Sequence, residues 1–207
     1  MEIPCRVCGV PVIGGNLCDA CGVTWEPFAG EKQTWRDICP EEYLDTDPKD
    51  PRICELVNRV TMSASQVKGS AGVGIVGRRG SGKTRAALWT IHNRYPRIHP
   101  IIVNHVDLGM MATDATGGIN GATRQEARQM LAQYARCWLL MIDDIGKAAS
   151  TERSTEALYA IMEDRTSAKL PTWWTSEWGG DELARKLGER GPAIVRRLGE
   201  FSAIVTV

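Results

Sequence analysis

The chain has 207 residues, 43% of them hydrophobic, with 25 Lys+Arg against 25 Asp+Glu. That is enough for one medium domain plus a small appendage, and too evenly charged for a general attraction to nucleic acid or an anionic membrane, so any DNA contact must come from a local patch. No run approaches the roughly 18 apolar residues of a membrane span, and Met1-Glu-Ile-Pro-Cys5 lacks the regions of a secretory signal, so a reducing cytoplasm and no membrane partner are expected.

From the N-terminus, Cys5-Arg-Val-Cys8 and Cys18-Asp-Ala-Cys21 form two C-x-x-C pairs separated by nine residues that include Gly14-Gly15-Asn16. In a reducing compartment this spacing predicts a very small zinc ribbon or double knuckle over 1–24. Each pair would supply two thiolates from a tight turn, with Gly9 and Gly22 easing the chain after each. Such a unit has almost no core, and zinc binding would contribute most of its folding energy, on the order of 10 kcal/mol. Cys39, Cys54 and Cys137 lack ligand spacing and read as ordinary buried or half-buried thiols. Residues 25–60 carry Pro27, Pro40, Pro48 and Pro51 with Asp45, Asp47 and Asp50, the pattern of an irregular connector. Its Trp25, Trp35 and Tyr43 argue that it docks, at least in part.

The remainder, 61–207, reads as an ATPase core. Val73, Ile75 and Val76 make a short strand, followed by Gly77-Arg78-Arg79-Gly80-Ser81-Gly82-Lys83-Thr84, a complete phosphate-binding loop. Gly77, Gly80 and Gly82 let backbone N–H groups point inward, Lys83 reaches the β- and γ-phosphates, and the Thr84 hydroxyl ligates Mg²⁺. Arg85 opens the helix that continues to Ile91, with its N-terminus facing the phosphates. ATP and Mg²⁺ are the expected cofactors.

Ile101-Ile-Val103 is a second strand, and residues 123–136 form a helix opened by a capping box of Thr123 and Glu126. Trp138-Leu-Leu-Met-Ile142 is the unbroken apolar run of a strand buried on both faces of a parallel sheet, ending in Asp143-Asp144. Carboxylates there sit at the ligand-binding edge of the sheet. Asp143 would hold Mg²⁺ through its water shell or through Thr84, and Asp144 would orient or polarise the attacking water. A helix over 152–168, a strand over Thr172 to Thr175, helices near Asp181 and after Pro192, and a last strand from Ala203 to Val207 complete a three-layer α/β fold with five strands.

The order of these motifs resembles a family. The phosphate loop, Asp143-Asp144-Ile-Gly-Lys147, Arg165 followed by Leu170-Pro-Thr-Trp-Trp-Thr-Ser-Glu177, and Ile194-Val-Arg-Arg-Leu198 are similar to the AAA+ core of bacterial and phage helicase loaders of the DnaC type, close kin of the IstB transposition ATPases. The resemblance covers roughly 35–207. It implies that the Thr172 to Thr175 strand lies between the phosphate-loop strand and the Asp143 strand, ends in a polar sensor of the γ-phosphate, and leads to a chain without a helical lid. The usual Thr-Ser-Asn or Thr-Thr-Asn is Thr175-Ser176-Glu177 here. Since a carboxylate repels phosphate, either Ser176 or Thr175 senses the nucleotide or Glu177 aids the water. The family's shared active site further implies an arginine supplied by a neighbour, with Arg196 or Arg197 the best match and Arg190 behind them.

DNA contact is carried more weakly. Arg124 and Arg128 lie four apart on one helix face with Gln125 beside them, after a Gly117-Gly118 and Gly121 stretch that reads as a loop. Trp173 and Trp174 read as core. The resemblance implies an ATP-binding and ATP-hydrolysing replication protein that loads a replicative helicase, acting as a homo-oligomer on single-stranded DNA. The alternative is a nucleotide-switched adaptor that recruits a transposase or another DNA-processing partner with little turnover.

Overall fold

The computed structural model describes residues 3, 4, 11, 12, 34–67, 71–96, 98–117, 121–147 and 151–207. The four expected zinc ligands Cys5, Cys8, Cys18 and Cys21 lie outside the described residues. Two short strands, β1 (Ile3–Pro4) and β2 (Pro11–Val12), pair antiparallel with Ile3 opposite Val12.

The main sheet is built from β3 (Gly72–Val76), β4 (Ile101–Asn104), β5 (Leu140–Ile145), β6 (Thr172–Ser176) and β7 (Ser202–Thr206). All neighbours are parallel, in the order β4-β5-β6-β3-β7. The β6 strand is thus inserted between the phosphate-loop strand and the aspartate strand, as the family resemblance implies. The central strands are buried on both faces, which is why they read as apolar runs without alternation.

Helices cover both faces. One apolar layer joins α2 (Cys54–Gln66), through Leu56, Val57 and Val60, to α3 (Lys83–Arg94), through Leu88 and Ile91, and to Val73, Ile75, Met141 and Trp173 of the sheet. The other joins α4 (His105–Gly117), α5 (Gly121–Arg136), α6 (Glu152–Ser167), α7 (Gly180–Leu187) and α8 (Gly191–Glu200) to Ile142, Ile145 and Trp174. Each fully buried Leu, Ile or Val contributes about 1.5–3 kcal/mol relative to exposure. Trp173 and Trp174 are core residues, 0% and 4% exposed.

Three elements differ from the sequence reading. The stretch 105–117 is a helix that the sequence reading leaves unassigned. It carries Gly109 in its middle and exposes Val106 and Met110, so no clean apolar stripe announces it. Helix α5 begins at Gly121, so Thr123 and Glu126 sit inside it and not at its cap. Helix α2 begins at Cys54, within the stretch read as connector, and packs against β3 and β7. The rest of the described connector holds a short α1 (Trp35–Ile38) and a 3₁₀ turn at Glu41–Tyr43, docked through Trp35, Tyr43 and Leu44. Cys39 is buried and Cys54 and Cys137 are half-buried, all as free thiols.

Two side chains knit the layers. The Trp174 indole lies across Gly74 on the neighbouring strand, where a Cβ would stand 2.3 Å from the ring, and its Nε1 donates to Ser202 Oγ on β7 at 3.0 Å. One side chain on β6 therefore spans β3 and reaches β7. Arg165 of α6 is 0% exposed and has no carboxylate partner among the described residues; burial pushes its pKa down. It donates to Thr172 Oγ1 (2.8 Å), to the Tyr134 and Cys137 carbonyls at the end of α5 (2.8 Å each) and to the Pro171 carbonyl (2.7 Å).

Candidate functional site

The phosphate loop follows β3 and opens α3, and its conformation follows from its glycines. Gly80 and Gly82 have φ of +78° and +84°, a region L side chains rarely adopt, and Gly82 also receives Ile53 of the connector, whose Cγ2 would stand 2.5 Å from a Cβ. Lys83 is 5% exposed and its Nζ donates to the Arg78 carbonyl at 3.0 Å, closing the loop on itself. Burial pushes its pKa down, against the opposing pull of Asp144, Glu177 and Asp143. Ser81 Oγ is buried without a hydrogen-bond partner. The Gly77 amide, expected to point inward, instead donates to the Ser176 carbonyl at 3.1 Å, and the Ser81 amide faces the Arg78 carbonyl at 3.4 Å, so what fits a phosphate chain here is the orphaned hydroxyl beside a buried lysine at the N-terminus of α3. Arg78 and Arg79 are exposed at the rim of the loop.

The carboxylates arrive on β5. Its pairing with β6 slips between Ile142 and Ile145, and Asp144 takes φ +55°. This irregularity takes the two aspartates out of the ladder with β6, while Asp143 keeps its place opposite Asn104 of β4. Thr84 Oγ1 donates to Asp143 Oδ1 at 2.8 Å and Thr175 Oγ1 donates to the same oxygen at 2.5 Å, while the Asp144 amide donates to Thr175 Oγ1 at 2.9 Å. Burial pushes the Asp143 pKa up, opposed by the hydrogen bonds from Thr175 and Thr84. Asp144 Oδ2 is clasped by Lys147 Nζ at 2.5 Å. Thr84 and Asp143 bring two oxygen ligands together that could hold a divalent cation.

The other expected residues are distributed unevenly. Thr175 is spent on Asp143 and Asp144, and Ser176, fully buried, donates to the Ile145 carbonyl at 2.8 Å and accepts from the Trp178 amide at 3.1 Å. Ser176 thus braces the slipped strand. Glu177 is half-buried and directly follows β6. Arg85 points away from the loop toward the connector, donating to the Glu42 carbonyl at 2.7 Å and Thr46 Oγ1 at 3.2 Å. A hollow of about 340 Å³ beside the loop is lined by Asp45, Asp47, Asp50, Arg52, Ile53, Gly80, Gly82 and Arg85.

On α8 the two arginines part. Arg196 keeps 64% of its side chain exposed, with Glu200 at 3.9 Å. Arg197 is 12% exposed, paired to Glu163, bonded to the Tyr159 hydroxyl at 3.3 Å and stacked on its ring, whereas Arg190 also lies over Tyr159, at 5.1 Å. Arg124 is exposed, whereas Arg128 Nε donates to the Ala115 carbonyl at 3.1 Å and ties α5 to α4. Residue types and motif spacing do not reveal Lys147 as the partner of Asp144 or Thr175 as the holder of Asp143; both follow from the slip in β5.

Among the described residues, no group of three or more His, Cys, Asp or Glu is placed to hold a metal, and no helix is long and apolar enough to cross a membrane.

The sheet order and the glycine-rich loop define a three-layer α/β fold with a five-stranded parallel sheet and a phosphate-binding loop after β3. The fold is similar to that of the DnaC helicase loader, with a TM-score of 0.64 at 17% identity, covering 81% of this chain and 99% of that one. It is similar to DnaI, with a TM-score of 0.62 at 21% identity over 81% of this chain and 94% of that one. A replication initiator DnaA bound to AMPPCP and single-stranded DNA aligns with a TM-score of 0.54 at 17% identity, over 87% of this chain and 51% of that one. No protein-family model and no curated protein sequence matches the chain, so the likeness is one of fold.

The raised pKa of Asp143 makes a prediction. A carboxyl whose pKa is higher in the folded than in the unfolded state lowers stability as pH rises from its ordinary value near 4 through the folded value. Asp143→Asn should therefore melt higher than wild type at pH 7 without nucleotide, and the difference should close by about pH 4. The same variant should lose at least about tenfold in Mg²⁺-dependent nucleotide affinity. Paired melting curves at the two pH values, with a titration of nucleotide, test both halves.

Proposed function

We propose that the chain is an ATP-binding and ATP-hydrolysing DNA replication protein that loads a replicative helicase, working as a homo-oligomer on single-stranded DNA. The observation that carries it is the contact of Thr84, Asp143 and Thr175, which joins the phosphate loop to the aspartate strand across the inserted strand of a DnaC-like sheet. Lys83 and the loop N–H groups bind the phosphates, Thr84 and Asp143 hold Mg²⁺, and Asp144 orients the attacking water, with Glu177 next in line. Bound ATP and Mg²⁺ supply the reacting phosphoryl group and its charge neutralisation. Likeness of fold to the DnaC helicase loader, DnaI and the replication initiator DnaA supports the replication setting. Co-purification with the replicative helicase of the same host tests the loader reading; no capture with ATP present would sink it.

The adaptor reading has one observation in its favour: Lys147 neutralises Asp144, which slows water activation until the pair opens. A chain that binds ATP tightly, turns over little and captures a transposase would be that adaptor.

We take Arg196 as the arginine offered to a neighbour; its exposure supports this, as does the engagement of Arg197 within its own subunit. Asp144→Asn and Arg196→Ala should each lose about 100-fold or more in ATPase activity alone and regain activity on mixing, because one mixed interface carries both intact groups. Activity should also rise more steeply than protein concentration. If only Arg197→Ala complements Asp144→Asn, the finger is Arg197 and Glu163 must release it. Single-stranded DNA is proposed to contact the α4 and α5 face that bears Arg124 and Arg128, and loss of a phosphate-contacting arginine lowers the salt slope of binding by roughly 0.7.

Zinc is proposed for Cys5, Cys8, Cys18 and Cys21. The antiparallel pairing of β1 with β2 supports it, because the segment joining them contains Cys5 and Cys8. Elemental analysis should find one zinc per chain. Cys5→Ser with Cys18→Ser should release it and leave ATP affinity within about twofold, since the metal stabilises its own small unit. A metal-free wild-type protein would end this assignment.

A further inference from the structure

The turn that carries Asp144 is held from the side of β6 and α7. The Lys147 amide donates to the Asp144 carbonyl at 3.1 Å and closes a turn whose third residue, Gly146, has φ +84°, a place that calls for glycine. Gly146 is also where the turn meets its neighbours. A Cβ there would stand 2.8 Å from Leu183 Cδ1 of α7 and 3.5 Å from Cε3 of the Trp178 ring. The indole therefore lies against bare backbone just after Asp144.

Trp178 is itself fixed from several sides. Its amide donates to Ser176 Oγ at 3.1 Å, and that hydroxyl donates to the Ile145 carbonyl at 2.8 Å, so this residue grips the turn through its backbone as well as its ring. The Lys186 ammonium of α7 stands 3.9 Å from the centre of the indole. Gly179, the next residue, runs so close to β3 that a Cβ on it would meet Val76 Cγ1 at 3.1 Å.

Asp144 needs such a hold. It has φ +55°, which residues with a side chain seldom adopt, and it has left the ladder with β6. The turn is tied to β6 through Thr175 at its start, and through Ser176, Trp178 and Leu183 at Ile145 and Gly146. Thr175 fixes where the turn begins; the Trp178 ring and Leu183 fix which way it leaves.

We propose that Trp178 is a positioning residue for ATP hydrolysis: its ring, steadied by Lys186 and pressed on Gly146, sets the direction in which Asp144 is presented to the attacking water. This rests on the nucleotide reading given above and adds a residue to it. Lys83 and the phosphate loop bind the nucleotide, so loss of the ring should cost turnover and not affinity.

The test is a double-mutant cycle on ATP hydrolysis by the full chain, with affinity for Mg²⁺–AMPPCP measured beside it. Trp178→Ala should lower kcat about tenfold or more, the scale of a small misplacement of a reacting group, and leave affinity within about twofold. In an Asp144→Asn background the same change should leave the residual rate as it was, because the carboxylate it positions is gone. A general loosening of the fold would lower both rates. Trp178→Phe, which keeps an aromatic ring between Gly146 and Lys186, should recover kcat to within about threefold of wild type. Lys186→Met changes an exposed position and leaves the core intact; it should lower kcat by about two- to threefold, again only while Asp144 is present. Equal losses of rate in the two backgrounds overturn the inference, as do an unchanged kcat in Trp178→Ala or a loss of AMPPCP affinity that accounts for the lowered rate. If wild type hydrolyses no ATP, or Asp144→Asn turns over like wild type, the nucleotide reading itself fails and takes this inference with it.

Discussion

Lys83→Ala should abolish measurable ATP binding, a loss of about 100-fold or more, while Asp144→Asn keeps affinity within a few-fold and loses most turnover. The two differ because of where the charges lie. Lys83 is buried at the loop with its ammonium held ready on the Arg78 carbonyl, so its removal deprives the phosphates of the one buried cation beside the loop N–H groups. The Asp144 carboxylate is clasped by Lys147 and, in the role proposed for it, would contribute only when water is aligned for attack. A competition titration with a fluorescent ATP analogue and a phosphate-release assay separate the two effects. Unchanged turnover in Asp144→Asn would move the water-orienting role to Glu177.

The second large effect concerns stability. Arg165→Ala should destabilise the domain by about 2–5 kcal/mol, from the cavity it leaves and from the neutral acceptors that lose its charged donor. The Cys137 carbonyl would lose its guanidinium donor, the Tyr134 carbonyl would keep only the weak Cys137 thiol at 3.7 Å and the Pro171 carbonyl only the Leu140 amide at 3.4 Å, and each buried acceptor left unsatisfied costs about 1–3 kcal/mol, though not additively. Arg165→Lys should recover little, because an ammonium cannot match the planar fork that reaches α5 and the start of β6 together. Arg165→Met, which fills the volume but leaves the carbonyls bare, should fall between wild type and Ala. Urea unfolding with an unchanged m-value identifies a loss of native stability. A change of less than 1 kcal/mol in Arg165→Ala would mean water takes over those carbonyls.

The five strands and the phosphate loop were legible because their signals are local. Apolar runs mark strands buried on both faces, and each loop residue has a fixed role by type. The insertion of β6 came from the resemblance to DnaC-type loaders, since nothing in the run from Thr172 to Ser176 states its neighbours. What stayed hidden depends on contacts far apart in sequence. Helix α4 lacks a stripe because α5 and α6 both pack against it and Gly109 interrupts it. Thr175 and Ser176 looked like sensors by position. The slip in β5 claims both, one for Asp143 and Asp144 and one for the Ile145 carbonyl. Arg196 and Arg197 are neighbours in sequence but lie on different faces of α8, a distinction that only Glu163 and Tyr159 reveal.

The Trp174 indole that crosses Gly74 to reach Ser202 sets a rule for inheritance. Gly74→Ala in this background would force the ring off its place by more than an ångström, since even a methyl carbon meets it at 2.3 Å. Trp174→Val, by contrast, opens the space that an alanine at 74 could fill while leaving Ser202 without its donor. The three positions are therefore expected to change together among descendants of this sequence: a side chain at 74 accompanied by a small residue at 174, and a non-hydroxyl residue at 202 appearing only after the tryptophan is gone. Double-mutant melting curves for Gly74→Ala with Trp174→Val should accordingly show the second change rescuing the first.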